Sequence, residues 1–222
     1  MIWTEKYGDN FYILDDGRVR QFLLTGAEEA LLVDTGFEDS HVAETVRKIT
    51  DLPVRVLLTH GDRDHTGGLK DFGRCLLHRA DWHLVDDGVE LEPLEEGDVF
   101  SCGGYRLETI EIPGHTYGSV AFFDREKKLL LPGDSVQEDG TIYMFGDHRS
   151  LDLYIESQQK LLAMADRVEK ILPCHGACPA GVEYIERNLK DAKDLRDGKL
   201  EGEPHPFMPC SVYRGRWTQF LY

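Results

Sequence analysis

Four times in this chain a short apolar run breaks off into a glycine-containing turn loaded with histidine or aspartate. "VRVLLT" runs into "HGDRDHTGG", "IEI" into "PGHT", "LLL" into "PGDS" and "KIL" into "PCHG". Short apolar runs bounded by turn residues read as buried strands. In open α/β sheets, ligands gather beyond the carboxyl ends of strands. A chain patterned this way can therefore bring seven side chains together: His60, Asp62, Asp64, His65, His115, Asp134 and His175. Imidazole nitrogens and carboxylate oxygens suit zinc, iron or manganese. Asp62 and Asp64, like-charged and crowded into one turn, need a cation or protons to offset them. Any one of His115, Asp134 or His175 alone reads as a surface or hydrogen-bonded residue. The fourfold recurrence is what resists that bland reading.

The rest of the pattern sets the fold class. "FYIL" and "VRQFLL" flank the turn "DDG", and "ALLVDTG" is a buried strand ending in a polar turn. Asp39 or Ser40 is expected to cap a helix running to about Ile49. "RCLLH" reads as a strand and "RADWHLVDDG" as a short helix. Strands follow near 98–101, 105–112 and 118–123. Helices are expected from about Leu151 to Val168 and from Gly181 to Arg196. Strands first and helices alternating later favour a layered α/β fold. One domain over 1–222 is expected, with its core at about 10–196. The tail, about 197–222, is proline-rich and expected to be irregular as far as "YRGRWTQFLY".

Charge excludes some partners. The chain has 222 residues and a formal net charge of −16. Such a surface repels nucleic-acid phosphates and anionic membranes. Its five cysteines, an odd number in a chain of this size, argue against a disulfide framework. No basic-plus-apolar leader opens the sequence, and no run approaches the ~18 apolar residues of a membrane helix. The expectation is a cytoplasmic protein acting on a small molecule, without nucleic acid or membrane, with a homodimer allowed.

The order "VDTG", "THGDRDHTGG", "PGHT", "PGDS", "CHG" resembles the metallo-β-lactamase superfamily, from about Asn10 to Asn188. The resemblance implies an αββα sandwich of two similar halves with two divalent metal ions at one edge. His60, Asp62 and His115 would line one metal, and Asp64, His65 and His175 the other. Asp134 would bridge them, and Asp34 would steady the loop from behind. Zinc is the first expectation. The family's usual pattern is His-x-His-x-Asp-His, and here Asp62 stands at the second histidine. A carboxylate there opens the site to iron or manganese. The flavodiiron oxygen and nitric oxide reductases carry a glutamate at that place, so a di-iron redox protein is the alternative, and a non-catalytic metal-binding member a third.

As a hydrolase, the metal pair would supply hydroxide at neutral pH and polarise an ester, thioester, lactone, amide or phosphodiester. Asp64 or Asp134 would orient that hydroxide and accept its proton. Two divalent ions bring about +4 of charge, Asp64, Asp134 and hydroxide about −3, and Asp62 takes the sum to about zero. That tilts the reading towards carbonyl substrates. Tyr143, Phe145 and His148, soon after Asp134, are candidates to line the pocket, and Tyr117 could hydrogen-bond an oxyanion. Cys174 reads as a small buried residue behind His175, and His41, His78 and His83 as structural. A glutathione-type extension is not supported, though Arg214 and Arg216 remain loose candidates for substrate contact.

Overall fold

A computed structural model describes residues 2–222. Its first sheet has seven strands in chain order: β1 (Trp3–Gly8), β2 (Phe11–Asp15), β3 (Arg20–Thr25), β4 (Ala30–Val33), β5 (Val54–Leu57), β6 (Arg74–Leu77) and β7 (Glu90–Pro93). β1 to β4 pair antiparallel as hairpins, and β4 to β7 pair parallel. Parallel pairing needs crossovers, and helix α1 (Val42–Ile49) supplies the first. The second half repeats the plan with β8 (Val99–Cys102), β9 (Tyr105–Glu111), β10 (Val120–Asp124) and β11 (Leu129–Leu131). Strand β12 (Thr141–Tyr143) leaves this sheet, and β13 (Lys170–Ile171) returns to pair parallel with β11. The crossover carries α3 (Leu151–Leu162); α4 (Tyr184–Arg196) packs beside it.

Strand alternation sorts the apolar residues into layers. Phe22, Leu24, Leu31 and Val33 face Phe100, Leu107, Val120 and Phe122 across the gap between the two sheets. Leu23, Leu32 and Val56 point the other way and bury Val42 and Val46 of α1. Ala121, Phe123 and Leu130 do the same for Leu161 and Ile185 of the outer helices. With both faces covered, the central strands lack polar alternation, which is why they read as continuous apolar runs. The result is helix, sheet, sheet, helix, an αββα sandwich of two similar halves.

Three expectations need correction. The tail is not irregular: β14 (Gly202–Pro204), β15 (Ser211–Arg214) and β16 (Gln219–Leu221) form a third sheet with β12, and Phe220 is fully buried in it. Its strands are three or four residues long, and Pro204 sits on the edge strand where no ladder donor is needed. Asp39 and Ser40 do not cap α1; His41 does the positioning in left-handed backbone at φ 55°, while Asp39 pairs with Arg18. The segment "RADWHL" is a short helix as expected, of 3-10 type, Arg79–Leu84, whereas the helix expected from Leu151 to Val168 stops at Leu162. No helix among the described residues is long and apolar enough to cross a membrane.

Candidate metal centre

The donor residues occupy the turns that follow β5, β9, β11 and β13. After β5, Asp62 sits in extended backbone and its carbonyl accepts from His65 N and Thr66 N, opening the one-turn helix α2 (Arg63–Thr66). Its side chain makes no capping bond and is free to face the histidines. Gly133, at φ 55°, packs against Thr59 just before Asp134; an added Cβ there would lie 2.9 Å from the threonine side chain.

Two groups of donors result. At the first position, His115 Nε2 lies 3.2 Å from His60 Nε2 and 3.2 Å from Asp62 Oδ2, and His60 Nε2 lies 3.5 Å from the same oxygen. At the second, His175 Nε2 is 3.0 Å from Asp64 Oδ2 and 3.3 Å from Asp134 Oδ2, while His65 Nε2 is 3.3 Å from Asp134 Oδ1. Asp134 serves both groups, its Oδ2 also lying 3.6 Å from His115 Nε2.

The hydrogen bonds of the other ring nitrogens fix what these atoms offer. His115 Nδ1 faces the Tyr143 carbonyl at 3.0 Å and His175 Nδ1 faces the Arg18 carbonyl at 2.7 Å. A carbonyl only accepts, so both Nδ1 atoms carry the proton. His65 Nδ1 donates to Asp34 Oδ2 at 2.9 Å. Thr59 gives its hydroxyl hydrogen to Asp34 Oδ2, so its oxygen accepts from His60 Nδ1 at 3.0 Å. Every Nε2 therefore faces inward, free to offer a lone pair once it carries no proton. His65 Nε2 and Asp134 Oδ1 are buried and make no hydrogen bond. Converging ring nitrogens and carboxylates, with His65 Nε2 and Asp134 Oδ1 unpartnered, are what a divalent cation satisfies, so the residues fit the metal the fold implies.

The pKa values express the same demand. Burial opposes charge on His175, but Asp134 and Asp64 outweigh it and push its pKa to about 10. His65 is likewise driven up against burial by Asp64, Asp134 and Asp34. Burial would raise Asp134, yet His175 and His65 hold it well below the carboxylate range, and Asp64 is lowered against burial chiefly by His65. In metal-free protein, protons on the histidines stand in for the cation. His115 differs: burial, with Arg149 and His60 beside it, lowers its pKa.

Two supporting residues were not singled out in the sequence, and a third, Cys174, is the small buried residue behind His175 that was expected. Arg149 Nη2 donates to Asp62 Oδ2 at 2.7 Å, and its Nη1 donates to the His115 carbonyl at 2.6 Å. Asp81, fully buried, accepts from Gly61 N, Gly118 N and Thr116 Oγ1 and so ties the His60 loop to the His115 loop. Gly118 must be glycine there, because an added Cβ would meet the Asp81 carboxyl carbon at 2.6 Å. Cys174, a buried thiol whose pKa is pushed up by burial and then by Asp34, donates to Asp34 Oδ2 at 3.4 Å.

The candidate substrate residues separate. Tyr143 lines the cleft of about 580 Å³ over the donors, with Phe37, Arg18 and Arg63. Phe145 packs against the Tyr143 ring at 6.1 Å and does not line that cleft. His148 Nε2 approaches Asp62 Oδ1 at 3.5 Å. Tyr117 is exposed and outside the cleft lining; its backbone N–H donates to the His148 carbonyl. Arg214 and Arg216 lie around Asp191 and Glu203, away from the cleft.

Two stacked sheets, clad by helices and meeting at one edge in a histidine and aspartate cluster, define an αββα protein with a metal centre. Residues 14–74 and 76–175 match the Metallo-beta-lactamase superfamily, and the chain belongs to it. It is 29% identical over 202 residues to the acyl-coenzyme A thioesterase MBLAC2 of Gallus gallus, covering 71% of this chain and 72% of that one. It is 30% identical over 192 residues to the atrochrysone carboxyl ACP thioesterase AacuM of Aspergillus aculeatus, covering 85% of this chain but 55% of the fungal one. Among solved structures it superposes on metallo-β-lactamase IND-7 with a TM-score of 0.72 at 18% identity, over 86% of this chain and 98% of that one. The metallo-β-lactamase family protein TTHA1429 of Thermus thermophilus gives 0.67 at 18% identity, over 100% and 98%. At those identities the likeness is one of fold.

Proposed function

We propose that this chain is a metal-dependent hydrolase that cleaves thioesters. The observation that carries hydrolysis is the second-position cluster, Asp64, His65, Asp134 and His175, whose donor atoms lie within 4.8 Å of one another with two of them lacking any hydrogen-bond partner. The thioester class is supported by two kinds of relative, animal and fungal, both named as thioesterases. Asp64, His65, Asp134 and His175 would hold a divalent ion there, zinc before iron or manganese, which would supply carbonyl polarisation and a more acidic water.

The chain's own groups do the rest. His65 and His175 are held in one tautomer by Asp34 and the Arg18 carbonyl, so their lone pairs are aimed before substrate arrives. Asp64 is more open to the cleft than Asp134, and is the carboxylate placed to accept the proton from the attacking water. The water oxygen bonds to the carbonyl carbon, the carbon–sulfur bond breaks, and the thiol leaves with that proton. Tyr143, with its hydroxyl bearing its proton because burial and then Asp64 raise its pKa, borders the cleft as a donor to the acyl oxygen. The redox alternative drew on Asp62 as a carboxylate at the place where the flavodiiron reductases carry glutamate; here that carboxylate is paired with Arg149.

The test is thiol release from acetyl-, octanoyl- and palmitoyl-coenzyme A, followed with a thiol-reactive dye. Release that stops on chelation and in His175→Ala is expected. Hydrolysis of oxygen esters or lactones with no thiol release would overturn the thioester class. No hydrolysis of any of them by metal-loaded protein would overturn the hydrolase.

A further inference from the structure

The two donor groups are not equivalent, because one already faces a fixed cation from the chain itself. We propose that Arg149 is a built-in cation of the first position, which competes with a metal ion for Asp62 and His115, so that the chain holds one ion tightly at Asp64, His65, Asp134 and His175 and a second only weakly. The proposal rests on the metal-centre reading above but not on the substrate class.

The contacts of Asp62 carry it. Its Oδ2 lies 2.7 Å from Arg149 Nη2, against 3.2 Å from His115 Nε2 and 3.5 Å from His60 Nε2. Arg149 Nη1 also stands 3.1 Å and 3.3 Å from the two ring nitrogens of His115. The guanidinium is not a mobile surface arm. Its Nε donates to the Phe145 carbonyl at 3.1 Å, its Nη1 to the His115 carbonyl at 2.6 Å, and its side chain is 7% exposed. An arginine does not surrender its charge to make room for a metal. At the second position, among the described residues, no lysine or arginine contacts the carboxylates, and the unpartnered His65 Nε2 and Asp134 Oδ1 lie there.

Charge explains why the pair occurs together. A histidine at residue 62 would be neutral as a ligand. Asp62 with Arg149 is also neutral in sum, so the site keeps its overall charge while the field is redistributed. The carboxylate that would attract an ion at the first position is shared with a positive group that repels it.

The experiment is calorimetric titration of metal-free protein with zinc chloride, read as stoichiometry and affinity, with no substrate present. The wild-type chain should bind one equivalent tightly and a second on the order of 10- to 100-fold more weakly, the range over which partners of a ligand alter metal affinity. Arg149→Gln and Arg149→Met should tighten the second equivalent and leave the first unchanged. The double variant Asp62→His/Arg149→Gln should bind two equivalents with similar affinity. Two equally tight equivalents in the wild type would overturn the proposal without any variant having to fold. So would Arg149 variants that keep the first equivalent and show no gain in the second. Absence of any tight equivalent in the wild type would overturn the metal-centre reading as well, an outcome distinct from either of these.

Discussion

Asp34 sits at φ 65°, in left-handed backbone that few residues other than glycine, asparagine and aspartate adopt readily. It is fully buried, and its two oxygens take the Thr59 N–H, the Thr59 hydroxyl and His65 Nδ1–H. One carboxylate thus fixes the tautomer of His65 directly and that of His60 through Thr59. Asp34→Asn keeps the backbone preference and removes the charge. Its metal affinity should fall about 10- to 100-fold, measured by competition with a chromogenic chelator; unchanged affinity would show that Asp34 only shapes the turn. His175 makes a second prediction. Its folded pKa, about 10, is raised above the unfolded value of about 6.5. In chelator-treated protein its contribution to stability is therefore full below pH 6.5 and is lost as pH rises towards 10. The melting temperature of the metal-free form should drop across that window. In zinc-loaded protein the metal, competing with protons for the same nitrogen, should remove most of the drop. Parallel pH profiles for the two forms would contradict this.

At the level of elements, the site is held together by ties between distant loops. Asp81, in the 3-10 turn after β6, reaches 20 residues back to Gly61 and 37 forward to Gly118. Asp81→Ala strands three buried donors and should cost about 3–5 kcal/mol in a denaturant melt, with looser zinc binding at the first position. A loss under about 1 kcal/mol would mean that the loops hold their places unaided. The seven metal-capable donors were legible in the sequence because each is announced locally, by an apolar run and a glycine turn. Arg149 and Asp81 were not, because their partners lie up to 87 residues away and nothing beside them marks the bond. The layered α/β class was legible from strands followed by alternating helices, and the αββα sandwich only through the family resemblance of the five motifs. β1 and the third sheet were not: the first is a half-exposed edge strand, and the strands of the other are three or four residues long, fixed by their neighbours.

The whole molecule carries a net charge of −16, while the cleft is lined by Arg18, Arg63 and Arg149 against Asp62, Asp64 and Asp134. Within the cleft the formal charges cancel, so the long-range field is set by the acidic surface. An acyl-coenzyme A, itself strongly anionic, should be repelled as it approaches, and salt should screen that repulsion. Its kcat/KM should hold or rise as ionic strength goes from about 20 to 200 mM, whereas a neutral acyl-pantetheine should show no trend. A steep fall for the coenzyme A substrate would mean that the cleft arginines steer it in.

The parallel pairing of β12 with β16 also sets a schedule. Thr141 and its partner Gln219 are 78 residues apart, and the same short strand carries Tyr143, whose carbonyl holds the His115 ring. A chain emerging from the ribosome exposes β12 long before β16 exists to pair with it. Until then the first donor group has its histidines and aspartate but no fixed support for His115. Fixing of the His115 ring is thus deferred until β16 has been made and closes over a scaffold whose two main sheets precede it in the chain.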